Sequence, residues 1–195
     1  MHSPEYNLTL VQTMLEEIED YLLSTELFWP LNRSAPRGMP PFPRLTSGGL
    51  LLALDQLDVQ SDEMTPAQIH ARQKCHLQLE RVTRKWSVAM EGKTAHELRS
   101  RLNLWSAYVS ELIDQAEPPD HYAYEVRHRV MFERLIELAS RHPQATSHVE
   151  AMSSVDTRLR TIFAPGEFLW DERLRARYPR TTFWFLYGHP LRIRE

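Results

Sequence analysis

The stretch TAHELRSRLNLWSAYVSELIDQA, residues 94–116, decides the fold class of this chain. Its apolar residues recur at alternating spacings of three and four, which is the pattern of a helix with one continuous apolar seam. The seam comprises Ala95, Leu98, Leu102, Trp105, Val109, Leu112 and Ala116. Thr94 and Glu97 have the spacing of a capping box and predict the start of the helix. Pro118 and Pro119 predict its end, because proline has no backbone N–H to continue it.

The same periodicity predicts helices on both sides of this stretch. They cover about residues 4–24, 46–59, 65–92, 121–141 and 147–165, with a shorter helix at 167–178. Capping residues mark the predicted starts, namely Ser3, Thr46 or Ser47, Thr65 with Gln68, Asp120, and Ser147 with Glu150. Gly92 is expected to end the 65–92 helix. The sequence therefore predicts an all-α, single-domain helical bundle of about six helices.

Two segments differ from the helical pattern. Residues 30–43 contain five prolines and Gly38, so they are predicted to form an extended, Pro-rich crossover. Met39 and Phe42 favour a crossover that packs along the bundle, and an exposed Pro-rich ligand for another domain is the alternative. The expected domains are a helical bundle at 1–179 and an aromatic, basic C-terminal extension at 180–195. That extension is expected to pack on the bundle or on a partner subunit.

Composition excludes several classes of protein. The chain has 195 residues, of which 42% are hydrophobic and 25% charged, values that are ordinary for a globular protein. A net charge of −3 provides no global field for nucleic acid or an anionic membrane. Cys75 is the only cysteine, so a Cys-rich zinc site and an intrachain disulfide are excluded. Cys75 lies on a predicted seam and is expected to be a buried hydrophobe. No apolar run is long enough for a membrane span, so we expect a cytoplasmic protein without membrane contact.

Glu125, Arg127 and His128 form a candidate polar pocket on the 121–141 helix. Glu125 and His128 are three residues apart, the spacing found in carboxylate-bridged di-iron bundles, where such a pair recurs on a second helix. The sequence has no second pair, so we predict no metal and no cofactor. Arg127 lies beside the inner face and is expected to need a carboxylate if it is buried. A structural role is favoured, and a metal-dependent or small-molecule enzyme using this pocket is the alternative function.

Basic residues follow one side of the 65–92 helix. This candidate anion-binding stripe comprises His70, Lys74, Arg81 and Lys85, with Arg84 at its edge. It lacks the interleaved aromatic residues of a single-strand binding platform, and it belongs to a net acidic chain. We favour a solvated face, and nucleic-acid binding is a second alternative function.

The C-terminal segment has the densest aromatic cluster. Phe183, Trp184, Phe185 and Tyr187 form a candidate interaction surface for a protein partner or a second copy of the chain. Packing onto the chain's own core is the favoured interpretation. Charge is also uneven, because residues 1–32 contain six carboxylates and no Lys or Arg, whereas 158–195 contain eight Arg and four carboxylates. This asymmetry suits two ends that lie close together or face a neighbouring subunit.

Motifs for catalysis are missing from the sequence. There is no nucleophile elbow, no dinucleotide fingerprint and no His-Glu-x-x-His motif. Many Trp and Tyr residues, which are frequent anchors of interfaces, favour protein contacts instead. The leading hypothesis is a non-enzymatic protein-interaction module, an adaptor or structural protein that forms a homodimer.

Overall fold

The computed structural model describes residues 2–114, 121–139 and 142–191, without the side chain of Glu137. The chain is mainly α-helical with a small two-stranded antiparallel sheet, so the predicted fold class is confirmed. Contacts divide it into two compact units, residues 1–97 and 98–195. Among the described helices, none combines the length and apolar character that a membrane crossing requires.

The first unit contains α1 (Pro4–Glu16), α2 (Ile18–Leu23), α3 (Ser47–Asp58), α4 (Pro66–Lys85) and the beginning of α5 (Ser87–Asp114). Its core is built from apolar side chains of four helices, among them Val11, Met14, Ile18, Tyr21, Leu50, Leu54, Leu57, Cys75 and Val82. The burial of Cys75 confirms its prediction and raises the pKa of its thiol to about 11. Cys75 is therefore a packed side chain.

Three of the predicted helix starts are confirmed by their hydrogen bonds. The Ser3 hydroxyl accepts from the backbone N–H of Tyr6, and the Thr46 hydroxyl accepts from that of Gly49. Thr65 begins α4 with a complete capping box. In each case the side chain satisfies a backbone donor that the first turn leaves without a helical partner. The helix predicted over 4–24 is interrupted at Glu17, which separates α1 from α2.

The start and stop predicted around Gly92 and Thr94 are wrong. α4 ends at Lys85, and α5 then runs without interruption from Ser87 to Asp114. Glu97 does not turn back to cap Thr94, because its carboxylate accepts a hydrogen bond from the backbone N–H of Gly48 at 3.0 Å. Thr94 and Glu97 are fully buried. The predicted seam is confirmed at Trp105 and Val109, which are also fully buried. Its predicted end at 116–119 and the cap at Asp120 lie outside the described residues.

The second unit continues with α6 (Tyr122–Glu125), α7 (Arg127–Ala139) and α8 (Ala145–Arg160). The helix predicted over 121–141 is thus divided at Val126, and its predicted end lies outside the described residues. α8 begins two residues before the predicted cap at Ser147. The Ser147 hydroxyl donates to the backbone carbonyl of Gln144, so it does not cap the helix.

The helix predicted over 167–178 is wrong, because these residues form the end of a β-strand, a short 3-10 turn and further turns. β1 (Phe163–Phe168) pairs antiparallel with β2 (Tyr187–Pro190), with Phe163 opposite Pro190 and a bulge between Pro165 and Phe168. Residues between the strands form the short 3-10 turns Glu172–Leu174 and Trp184–Leu186. Gly188 has φ +140°, and a Cβ atom there would lie 2.1 Å from the carbonyl oxygen of Ala164. Only glycine fits this close approach of the two strands.

Candidate functional site

Glu125 and His128 meet at the junction between α6 and α7, as their spacing predicted. The distance between His128 Nε2 and Glu125 Oε2 is 3.4 Å. The other ring nitrogen, His128 Nδ1, lies 3.0 Å from Nη1 of Arg101 on α5. His128 and Arg101 are buried, whereas the Glu125 side chain is partly exposed. The group is therefore an arginine–histidine–glutamate chain, and its arginine is Arg101.

The geometry fixes the tautomer of His128. A guanidinium can only donate hydrogen bonds, so Nδ1 must accept and the ring proton must lie on Nε2. The protonated Nε2 then lies 3.4 Å from the Glu125 carboxylate. Burial first, and then the charges of Arg101 and Arg127, lower the pKa of His128 to about 3. The contact with Glu125 is therefore one between a neutral imidazole and a carboxylate, and not an ion pair.

Arg127 lies apart from this chain of contacts. Its Cζ is 3.5 Å from the centroid of the Tyr124 ring, so its guanidinium stacks on an exposed aromatic side chain. The expectation of a buried arginine paired with carboxylates applies to Arg129 instead. Arg129 donates to both oxygens of Asp156, at 3.0 and 2.9 Å, and to Glu133 at 2.7 Å. Burial acts to lower the pKa of Arg129, but the hydrogen bonds and charge of Asp156 outweigh it.

Two buried aromatic side chains lie near this polar group. Burial, and then the charges of Glu125 and Glu111, raise the pKa of Tyr108. The ring of Tyr108 lies 5.7 Å from that of Trp105. Tyr108 stays protonated at neutral pH and can only act as a hydroxyl.

In the described parts of the chain, no three His, Cys, Asp or Glu side chains are arranged to hold a metal ion.

The chemistry available at this group is limited by its contacts. Both nitrogens of His128 already have partners, so the ring is not free to bind a metal or accept a proton unless one contact breaks. Sequence reasoning found Glu125 and His128 because they are close in the chain. It missed Arg101 and Asp156, each 27 residues from its partner, since no local pattern marks such a contact.

The residues of the predicted basic stripe on α4 are all exposed. His70, Lys74 and Arg81 are exposed, and so is Arg84. Lys85, however, forms an ion pair with Glu19 of α2 at 2.8 Å, which lowers the pKa of Glu19. This is a surface ion pair, because the side chains of Lys85 and Glu19 are 55% and 43% exposed.

The aromatic C-terminal residues lie mostly in the interior of the second unit. Phe183, Phe185 and Tyr187 are buried, and Trp184 is half-buried. The Tyr122 hydroxyl donates to the backbone carbonyl of Phe185 at 2.8 Å. These rings thus provide little open surface for a partner.

No family model, curated protein or solved structure matches this chain. A functional proposal therefore rests on the geometry of its own residues.

Proposed function

We propose that the chain is a protein-interaction module that associates with a second copy of itself through its first unit. The observation that supports this is an outer strip on α4 and the first turn of α5. The outer strip comprises Lys74, Leu77, Arg81, Arg84 and Val88. A homodimer held in this way is an adaptor or structural element.

The outer strip combines exposed apolar side chains with cations. Leu77 and Val88 are 61% and 82% exposed. Within α4 the residues of the outer strip recur at spacings of three and four, the pattern by which one side of a helix packs against a neighbour. They lie, however, on the side of α4 opposite the buried Cys75. A single exposed apolar residue is ordinary, but two along one seam among basic residues favour a binding surface.

An acidic strip with matching character lies on α1 and α2. It comprises Glu16, Asp20 and Leu23, all exposed, with Leu23 61% exposed. The ion pair between Glu19 and Lys85 joins α2 to α4, so the acidic strip and the outer strip are neighbours on one unit. A two-fold axis between them would place each strip against its complement in the second copy.

A second copy is favoured over an unrelated partner because the complementary surface belongs to the same unit. Attraction between the strips would be weakened by salt, and the apolar side chains would add an effect that salt does not remove. The competing hypothesis is that a different protein, with an acidic amphipathic helix, binds the outer strip.

Sedimentation equilibrium over a range of protein concentrations tests the proposal. We expect the wild type to dimerise, and Leu77→Asp to shift its dissociation constant upward by about tenfold or more. Leu104→Asp is the matched control, since Leu104 is also an exposed helical leucine but lies outside both strips. A wild type that stays monomeric at every concentration would refute the proposal.

Nucleic-acid binding is the alternative for the same cations, and the exposure of His70, Lys74 and Arg81 is the observation that favours it. Duplex binding whose affinity falls steeply with salt and with Arg81→Glu would support this alternative over self-association.

An enzyme using Glu125, Arg127 and His128 draws less support, because His128 has a contact at each ring nitrogen and Arg127 stacks on Tyr124. The cytoplasmic location stays a prediction from the sequence.

A further inference from the structure

The Pro-rich segment of the first unit closes on itself at its two ends. Trp29 and Leu45 exchange two backbone hydrogen bonds, of 3.1 and 2.8 Å, so residues 30–44 begin and end at the same place. Leu45 is fully buried and anchors this end in the core. A compact surface segment of this length with adjoining ends is an Ω-loop, a class that is often functional.

Side chains outside the loop hold it in shape. The Glu17 carboxylate accepts from the indole N–H of Trp29 at 2.8 Å and from the backbone N–H of Asn32 at 2.9 Å. The ring of Phe42 packs edge-on against Tyr6, with centroids 5.2 Å apart. Glu17 lies at the break between α1 and α2, so its side chain ties the loop to that break.

The loop's own backbone adds to its rigidity. Gly38 has φ +83°, and the Met39 N–H donates to the Pro36 carbonyl at 3.0 Å, which closes a tight turn. Five prolines restrict the remaining residues. The cleft that the loop encloses is therefore formed before any ligand arrives, which lowers the entropy lost on binding.

The cleft has the size and lining of a small-molecule site. Its volume is about 450 Å³, within the range of ligand pockets. Leu31, Met39 and Phe42 provide apolar lining, and Arg33 and Arg44 provide two positive charges. No residue that lines it is acidic, and the carboxylate of Glu17 is engaged by neutral donors. The cleft thus combines an apolar wall with two exposed guanidinium groups, of which that of Arg44 also donates to the backbone carbonyl of Phe28 at 3.4 Å.

We propose that this cleft binds a small organic anion. The apolar body of the ligand would lie against Met39 and Phe42, and its carboxylate or phosphate would accept hydrogen bonds from Arg33 and Arg44. Guanidinium groups suit both headgroups because their donors match two oxygens at once. This site is separate from the strips proposed for self-association, so either proposal can fail alone.

Two fluorescent probes with nearly the same body test the proposal. Anilinonaphthalene sulfonate is an anion, and phenylnaphthylamine is its neutral counterpart. We expect the folded wild type to bind one sulfonate probe per chain and to bind the neutral probe more weakly. The double variant Arg33→Gln, Arg44→Gln should lose about tenfold or more in affinity for the sulfonate alone. Arg37→Gln is the matched control, because Arg37 is an exposed loop arginine that does not line the cleft.

Displacement identifies the headgroup. Phenylacetate that displaces the sulfonate probe would assign a carboxylate, and phenyl phosphate that does so would assign a phosphate. Circular dichroism of each variant checks that it remains folded. Equal affinity of the wild type and the double variant for the sulfonate, or loss of affinity in Arg37→Gln to the same extent, would overturn the proposal.

Discussion

Two buried arginines of the second unit contrast with four exposed arginines of the first. In the second unit Arg129 is buried and donates to two carboxylates, and Arg101 is buried against a neutral histidine. In the first unit Arg81 and Arg84 are exposed on the outer strip, and exposed Arg33 and Arg44 line a cleft that contains no acid. A buried cation must be paired to be tolerated, whereas an exposed one remains available to a partner. The comparison distinguishes charges that stabilise the fold from charges that are available to bind a partner.

The largest loss of stability should come from removing the main carboxylate partner of a buried arginine. Asp156→Ala leaves Arg129 buried with only Glu133 beside it, and we expect a loss of about 3 kcal/mol or more in the free energy of unfolding. Urea denaturation measures it. Glu150→Ala is the control, since Glu150 is exposed on the same helix and should change stability by less than about 0.5 kcal/mol.

A double variant sharpens this test. Replacing both partners, by Arg129→Met and Asp156→Leu, removes the charge together with its counter-charge. We expect it to recover most of the stability that Asp156→Ala loses, because apolar residues of similar volume can replace a buried ion pair. A double variant as unstable as Asp156→Ala would mean that packing, and not the unpaired charge, is decisive.

His128 should have a smaller effect on the free energy of unfolding, and this effect should depend on pH. Its pKa in the folded chain, about 3, lies below the ordinary value, so the unfolded chain takes up the proton first as pH falls. Its contribution to stability is complete above about pH 6.5 and is lost progressively down to about pH 3. At pH 5 the loss should be about 2 kcal/mol.

His128→Gln isolates that contribution. Glutamine retains an acceptor for Arg101 but does not titrate. The stability difference between wild type and variant should therefore shrink as the pH falls from 7.5 to 5. Denaturation curves recorded at several pH values check this, and a difference that is constant with pH would contradict the neutral histidine.

The smallest effect on stability should come from the outer strip. Arg81→Glu combined with Arg84→Glu changes only exposed side chains, so we expect the free energy of unfolding of the monomer to change by about 0.5 kcal/mol or less. Thermal denaturation of dilute protein measures it. A large loss of stability would show that these arginines stabilise the fold, as Arg129 does.

Local patterns predicted the parts of the fold that depend on local physics. The seam through Trp105 and the caps at Ser3 and Thr65 are confirmed, because helix periodicity and capping involve residues within one or two turns. Thr94 with Glu97 has the same spacing as Thr65 with Gln68, yet Glu97 bonds to Gly48, 49 residues away. A tertiary contact overrode the local pattern there.

Long-range pairing explains why the sheet was not predicted. β1 contains Pro165 and Gly166 and no alternating pattern, and its partner strand lies about twenty residues further on. The candidate site shows the same limit, since Glu125 and His128 were visible in the sequence and Arg101 was not. The prolines at 30–43 predicted an extended crossover, but the closure by Glu17 that shapes its cleft depends on a residue outside it.

Mixing two charge-reversed variants tests the central claim most directly. One is Arg81→Glu with Arg84→Glu, and the other is Glu16→Arg with Asp20→Arg. Each variant alone should be largely monomeric, because its like charges meet across the two-fold axis. In an equimolar mixture, both contacts of the mixed dimer pair opposite charges: reversed residues face each other in one contact, and native residues do so in the other. Sedimentation equilibrium should therefore show a heterodimer. A mixture that stays as monomeric as its components, or variants that dimerise as well as the wild type, would contradict self-association through these strips.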